Sequence, residues 1–370
     1  MPSKKNILIV ASSLHIGGAE RVIANLAKHL DRDRFHVTVC HLLERGVIGD
    51  ELQQFGVHIV GNHRHEDPIR RYLSFLGLRK IIQDNNIDLL HSHTVYSLCD
   101  SSLCRLTTLG IKTVHTFHRG NYPSYDRRYM RMEKLFSKAC DQLVAVGIEQ
   151  ANKICTAYNI PPQKLLTVLN GVEDAQSSGD PDWKERFRKD GRMVIGSIST
   201  LIEQKGLSYL LDTAHALLKA GANVLFVVVG EGELRPQLEE KCRQLGITDS
   251  VIFTGWIPNA ANRMMPLFDI FFQSSLWEAM SMVVLEAMAL GRPVVVTDVG
   301  DNRHVIEHGH SGLVVPAADV AQMVTALQLL LNSEAHRRQF GERARARFEM
   351  EYTARVMAQK YETIYSELLE

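Results

Sequence analysis

The sequence predicts an α/β protein of two domains, each built on a parallel sheet. Three observations carry that prediction. Short runs rich in Val, Ile and Leu alternate with amphipathic stretches along most of the chain, the pattern of βαβ units. The chain has 370 residues, more than a single hydrophobic core usually organises. A Gly17-Gly18 turn directly follows the first apolar run and opens a helical pattern, and there the missing side chains let backbone approach a ligand closely.

In chain order, residues 6–11 read as a first strand, apolar throughout as in a sheet covered on both faces. Further strands are expected at 36–42, 57–60, 89–93, 112–117 and 143–146, and the run 166–173 closes the first domain with an Asn170-Gly171 turn. Residues 173–191 are polar and turn-rich, which places a first domain at 1–175, a linker at 176–190 and a second domain at 191–351. The alternation then repeats, with strands expected at 193–199, 223–229, 251–254, 270–273, 293–297 and 313–315.

Bulk properties exclude several functions. Lys and Arg number 42 and so do Asp and Glu, and residues 1–180 carry only 22 basic against 18 acidic groups, far from the excess of a nucleic-acid binder. Six cysteines show neither a CxxC pair nor Cys/His ligand spacing, which reads as reduced thiols in a cytoplasmic protein. The opening MPSKKNILIVASS reads as a strand rather than a signal peptide, and no apolar run approaches the ~18 residues of a membrane span.

The most informative stretch is 271–297, FFQSSLWEAMSMVVLEAMALGRPVVVT. Glu278 and Glu286 lie eight residues apart, a spacing that would leave them ~80° apart on one helix, so Glu278 is placed in the loop before it. The helix is expected over about 281–290, with Gly291 past its end. Its first turn, Ser281, Met282 and Val283, offers free amides and the positive end of a helix dipole to a phosphate or a sugar hydroxyl. Glu286, one turn further in, can accept from the paired hydroxyls of a ribose.

Two expected strand ends in the first half carry histidines, LLHSH (His91, His93) and TVHTFH (His115, His118). No acidic partner sits at zinc spacing, so no metal is assigned. His91, His93 and His115 read as scaffold, His115 lying on the strand face opposite Val114. The segment RGNYPSYDRRYMRMEKLFSKAC interleaves Arg127, Arg128 and Arg131 with Tyr122, Tyr125, Tyr129 and Met130. It could meet an anionic acceptor or a membrane surface, or simply be a solvated helix face.

The Glu-x7-Glu stretch closely resembles that of the retaining glycosyltransferases of family 4. GGAE after the first strand, the TFH histidine and the NGV string resemble the same family over nearly the whole chain. The resemblance implies a GT-B fold, two Rossmann-like domains facing across a cleft, with the last helix, about 352–370, returning to the first domain. It implies a hexosyl transfer from a GDP- or UDP-sugar to a glycan or lipid-linked acceptor in cell-envelope polysaccharide or lipopolysaccharide synthesis, at the inner face of the plasma membrane and without a metal or other cofactor. Carried over by motif, Glu278, His118 and Lys205 serve catalysis. Gly17, Gly18, Trp256, Ile257, Ser281, Met282, Val283 and Glu286 bind the donor, and Arg127, Arg128 and Arg131 lie toward acceptor or membrane.

Four positions depart from the family pattern. Ala279 and Ser281 replace the usual Gly and Pro. Thr200, a donor-site position, stands where the family carries an Arg that clamps the diphosphate, losing a planar fork and a full charge. His304 stands for a Glu. Arg303 could compensate for Thr200. Otherwise the chain could be a homologue that binds nucleotide sugar without transferring it and acts as a subunit or scaffold.

Overall fold

The computed structural model of the chain describes residues 4–62, 73–124, 126–175, 179–188 and 190–370. It divides into two compact units, Met1–Gly171 with Ala354–Glu370, and Val172–Thr353.

The first unit holds strands β1 (Lys5–Ala11), β2 (Phe35–His41), β3 (His58–Gly61), β4 (Leu89–Ser92), β5 (Lys112–Phe117), β6 (Gln142–Ala145) and β7 (Leu165–Thr167) in one sheet of order β3-β2-β1-β4-β5-β6-β7. Every pairing is parallel; Ile9, for example, lies beside Val39 on one side and His91 on the other. Ile7, Leu8, Ile9 and Val10 are wholly buried, because helices cover both sheet faces. These are α1 (Gly18–His29), α2 (Gly46–Gln54), α3 (Ser74–Asp84), α4 (Val95–Thr107), α5 (Arg127–Phe136) and α6 (Ile148–Tyr158). α4 starts on a reciprocal capping box between Thr94 and Ser97. α6 ends on Asn159 in the left-handed region, at φ +55°.

The second unit opens with α7 (Pro181–Arg188) and carries β8 (Met193–Ile198), α8 (Leu207–Lys219), β9 (Val224–Val229), α9 (Arg235–Leu245), β10 (Val251–Gly255), α10 (Ala260–Met264) and β11 (Ile270–Gln273). α11 (Met282–Ala289), β12 (Val294–Thr297), α12 (Asn302–Val305), β13 (Leu313–Val315), α13 (Val320–Asn332) and α14 (Glu334–Glu351) complete it. Its six strands are again parallel, in the order β10-β9-β8-β11-β12-β13. Both sheets thus contain the 3-2-1-4-5-6 winding of a Rossmann-like domain. The closing helix α15 (Ala354–Leu369) belongs to the first unit. It buries Met357, Tyr361, Ile364 and Tyr365, a three-and-four spacing that faces one stripe inward, and it packs against α1.

The expected strands are present with ends displaced by at most two residues, except that 166–173 is strand only over 165–167. The stretch expected as linker differs more. Residues 176–178 and 189, like Tyr125, lie outside the described residues, but 181–188 is a helix of the second unit. Asp180 caps it, accepting from the amides of Asp182 at 3.1 Å and Trp183 at 3.3 Å, and pairs with Arg263. Phe187 is fully buried; such burial contributes ~1.5–3 kcal/mol, enough to anchor a polar-looking segment.

Candidate active site

In a sheet of this winding, ligands meet the carboxyl ends of the two central strands, where the connections run to opposite sides. In the second unit those strands are β8 and β11. The chain leaves β8 through a single 3-10 turn, Glu203–Lys205, and then Gly206 at φ +58°. A Cβ on Gly206 would lie 2.2 Å from the Ser274 carbonyl oxygen, so this turn can dock on the loop after β11 only through a glycine. The amide of Leu276 donates to the Gln204 carbonyl at 2.7 Å, and the Ser274 hydroxyl to the Lys205 carbonyl at 3.1 Å.

The docked loops bring Lys205 and Glu278 together. Lys205 Nζ lies 2.6 Å from Glu278 Oε1. Ser275 Oγ donates to the same oxygen at 2.8 Å, and Gln204 Nε2 donates to Oε2 at 3.2 Å. Glu278 is 7% exposed and lies in the loop before α11.

Three residues on, Ser281 is the N-cap of α11, yet its hydroxyl makes no cap bond. It accepts instead from Gln273 Nε2 at 2.7 Å. A buried chain of amides holds that arrangement: Asn302 Nδ2 donates to Gln273 Oε1 at 3.1 Å and to the Thr297 carbonyl at 2.8 Å. The helix start, with Met282 and Val283 in its first turn, is therefore left uncapped by its own serine, a ready position for an anion. Glu286 is half-buried one turn further along. The far end of α11 is braced by Arg345, which donates to the Ala289 carbonyl and pairs with Asp174, and by Gly341, where a Cβ would stand 2.2 Å from the Gly291 carbonyl oxygen.

Among the remaining second-unit residues, Thr200 is exposed. Arg303 is engaged by Asp298, its Nε donating at 2.7 Å. The backbone of His304 accepts from Arg347 Nη2 at 2.8 Å. Trp256 is 56% exposed beyond β10 while Ile257 beside it is buried.

The first unit has its own strand-order reversal between β1 and β4. Gly17, the N-cap of α1, has an extended φ of −165°, so conformation does not demand glycine there. A Cβ there would fall 2.3 Å from Glu20 Oε2, the end of a flexible side chain that can turn aside; as it stands the carboxylate of Glu20 folds back over the helix start, and burial raises its pKa. The first helix start therefore already has an acid of this chain beside it.

His118, half-buried just past β5, meets a partner that the scaffold reading missed. Its Nε2 lies 2.9 Å from Nδ1 of His93, just past β4, and the rings stack with centroids 5.2 Å apart. His91 lies behind His93, its ring centroid 4.0 Å away, and bonds Tyr365 at 2.6 Å and Thr116 at 2.8 Å. His115 bonds Ser92 at 2.9 Å through Nδ1, and the Nε2 atoms of His93 and His115 are buried without a hydrogen-bond partner. Burial pushes His118 down to about 4 and His115 to about 3, and holds His91 and His93 well below the usual histidine value, so the cluster is neutral. The signal available in the sequence was position: His93 and His118 each follow the end of one of two neighbouring strands.

On α5, Glu133 turns inward, accepting from Tyr122 at 2.8 Å and Tyr158 at 2.6 Å. Arg127, Arg128, Arg131 and Lys134 remain on the exposed side with Leu135. Among the described residues no group of three or more His, Cys, Asp or Glu could hold a metal ion, and no helix is long and apolar enough to cross a membrane.

Two Rossmann-like units, one with a cation, a carboxylate and a helix start at its strand-order reversal, define an α/β protein of the doubly wound class. Residues 180–347 match the model of the Glycosyl transferases group 1 family and residues 16–176 that of Glycosyltransferase Family 4, so the chain carries the two domains of a GT-B-type glycosyltransferase. Solved structures agree on the fold. The HepE protein of Anabaena in complex with UDP-glucose superposes with a TM-score of 0.85 at 19% identity, covering 98% of this chain and 99% of its own. The UDP-Gal:alpha-D-GlcNAc-diphosphoundecaprenol alpha-1,3-galactosyltransferase of Escherichia coli is 23% identical over 84% of each chain. An uncharacterized glycosyltransferase of Methanocaldococcus jannaschii is 28% identical over 57% of this chain; the match spans only 56% of that relative.

Proposed function

We propose that the chain is a retaining, metal-independent hexosyltransferase that moves a sugar from a UDP- or GDP-sugar to a glycan or lipid-linked acceptor in cell-envelope polysaccharide synthesis. The observation that carries this is the Lys205–Glu278 pair at 2.6 Å, set beside the open start of α11. It supplies a cation and amide dipoles for a diphosphate and a fixed carboxylate for sugar hydroxyls.

In the step proposed, the bond between the anomeric carbon and the phosphate oxygen breaks with both electrons leaving on the diphosphate. The acceptor oxygen bonds to that carbon and its proton passes to the departing phosphate, through an oxocarbenium-like transition state. Lys205 and the amides of Met282 and Val283 stabilise the developing charge; Glu278 orients the sugar; Glu286 takes the ribose. Trp256 and Ile257 border the base. On the family resemblance, His118, Gly17 and Gly18 also serve the donor. Neutral His118 suits that role, since an uncharged imidazole can orient hydroxyls without competing for phosphate.

The donor and acceptor in the name of the Escherichia coli relative, and the UDP-glucose held by the Anabaena structure, favour a UDP-sugar and a polyprenyl diphosphate. The exposed arginines of α5 are the proposed contact for such an acceptor at an anionic membrane surface, on the cytoplasmic side.

Thr200 and the engagement of Arg303 by Asp298 favour a second reading, a nucleotide-sugar-binding subunit without transfer. Incubation with labelled UDP- and GDP-sugars and a mixed acceptor extract separates the two. Labelled product appears if the first reading holds; saturable binding with neither transfer nor hydrolysis establishes the second.

A further inference from the structure

The contact that places Lys205 also places a negative charge where a phosphate must come. Lys205 Nζ has three protons and gives one to Glu278 Oε1 at 2.6 Å. A phosphate oxygen taken by a second proton, at ~2.8 Å and a tetrahedral angle, comes within about 4.4 Å of that carboxylate oxygen. Glu278 has little room to withdraw. Ser275 holds Oε1 at 2.8 Å, Gln204 holds Oε2 at 3.2 Å, and Gln204 is itself tied to the Trp277 carbonyl at 3.0 Å. The charged neighbour of Glu278 in these contacts is Lys205, from the turn after β8; Ser275 and Gln204 are uncharged.

Resting on the donor-site reading above, we infer that Glu278 is a specificity-determining residue that discriminates between nucleotide sugar and free nucleoside diphosphate. In a nucleotide sugar the terminal phosphate is esterified and bears one charge, and the sugar hydroxyls meet the carboxylate. In the free diphosphate the terminal phosphate has a second ionisation near pH 6, bears close to two charges at pH 8, and has no hydroxyl to offer. The same carboxylate that orients the donor therefore repels the product, and transfer itself creates the charge that Glu278 expels. Glu278 drives nucleotide release.

The test is calorimetric titration of the full chain and of Glu278→Gln with UDP, GDP and UDP-glucose at pH 8.0 and 5.5. Glutamine keeps the shape and can still accept from Lys205. The expected result is that Glu278→Gln binds the free diphosphate about tenfold more tightly at pH 8.0. Its affinity for UDP-glucose falls, because the sugar hydroxyls lose their charged acceptor, and the gain for the diphosphate shrinks at pH 5.5 as the terminal phosphate protonates. The parent alone gives a second reading that needs no variant: its preference for UDP-glucose over UDP falls between pH 8.0 and 5.5. Equal affinity of parent and variant for the diphosphate at pH 8.0, or a gain that does not change with pH, overturns the inference alone. A parent that binds neither diphosphate nor nucleotide sugar overturns the donor-site reading, and the inference with it.

Discussion

Lys205→Ala separates the structural role of the central pair from its chemistry. Truncation leaves Glu278, 7% exposed, without its counter-charge. Breaking a buried pair from one side costs ~3–5 kcal/mol when the remaining charge is stranded. Here Ser275 and Gln204 keep donating, and water can enter the space the lysine leaves, since its side chain is 19% exposed. The expected loss is then about 2–3 kcal/mol, a fall in melting temperature of roughly 5–10 °C. Nucleotide affinity should fall further, by about 10–150-fold for one charge-assisted bond to phosphate. Scanning calorimetry and titration with UDP and GDP read the two effects. Adding Glu278→Gln to Lys205→Ala should recover most of the stability, because no charge is then stranded, and part of the affinity for UDP and GDP, because the carboxylate that repels their terminal phosphate is gone. A Lys205→Ala variant that melts with the parent, or that binds nucleotide as the parent does, refutes the pairing as the organiser of the site.

Three further outcomes are expected. The unfolded chain protonates His115 and His118 near the ordinary histidine value of about 6.5, whereas the folded first unit holds them neutral down to about 3 and 4. Their contribution to stability is complete above about pH 7 and is lost as pH falls through 6.5, amounting to about 3 kcal/mol for the pair by pH 5.5; urea titrations at pH 7.5 and 5.5 that coincide would contradict this. Gly206→Ala places a Cβ against the Ser274 carbonyl in a left-handed conformation and should destabilise the second unit by ~2–4 kcal/mol, read by the shift of its urea midpoint. Arg127→Glu/Arg128→Glu/Arg131→Glu should abolish sedimentation with anionic vesicles, at ~1 kcal/mol per charge removed, and leave UDP binding unchanged.

Much of the architecture was legible because each sheet strand here is a short apolar run between turn residues, and alternation alone places it. The position of Glu278 followed from a single angular argument, and Gln273 ends its strand where 270–273 was expected to end. What was hidden depends on contacts between residues far apart in the chain. Lys205 and Glu278 are 73 residues apart, and nothing in either local pattern indicates that one turn docks on the other. The bond between His93 and His118 is likewise invisible until neighbouring strand ends are set side by side. At Gly17 the glycine was legible but its neighbour was not, because the atom nearest to a Cβ there belongs to the Glu20 side chain of the same helix. Residues 181–188 were misassigned because one buried side chain, Phe187, anchors a helix whose other residues are mostly polar.

The most direct measurement is a crystal structure of the chain soaked with a nucleotide sugar that it binds in solution. The account predicts diphosphate oxygens on Lys205 Nζ and on the first-turn amides of α11, with sugar hydroxyls on Glu278 and the ribose on Glu286. Density for the diphosphate away from Lys205 and the α11 start would contradict it.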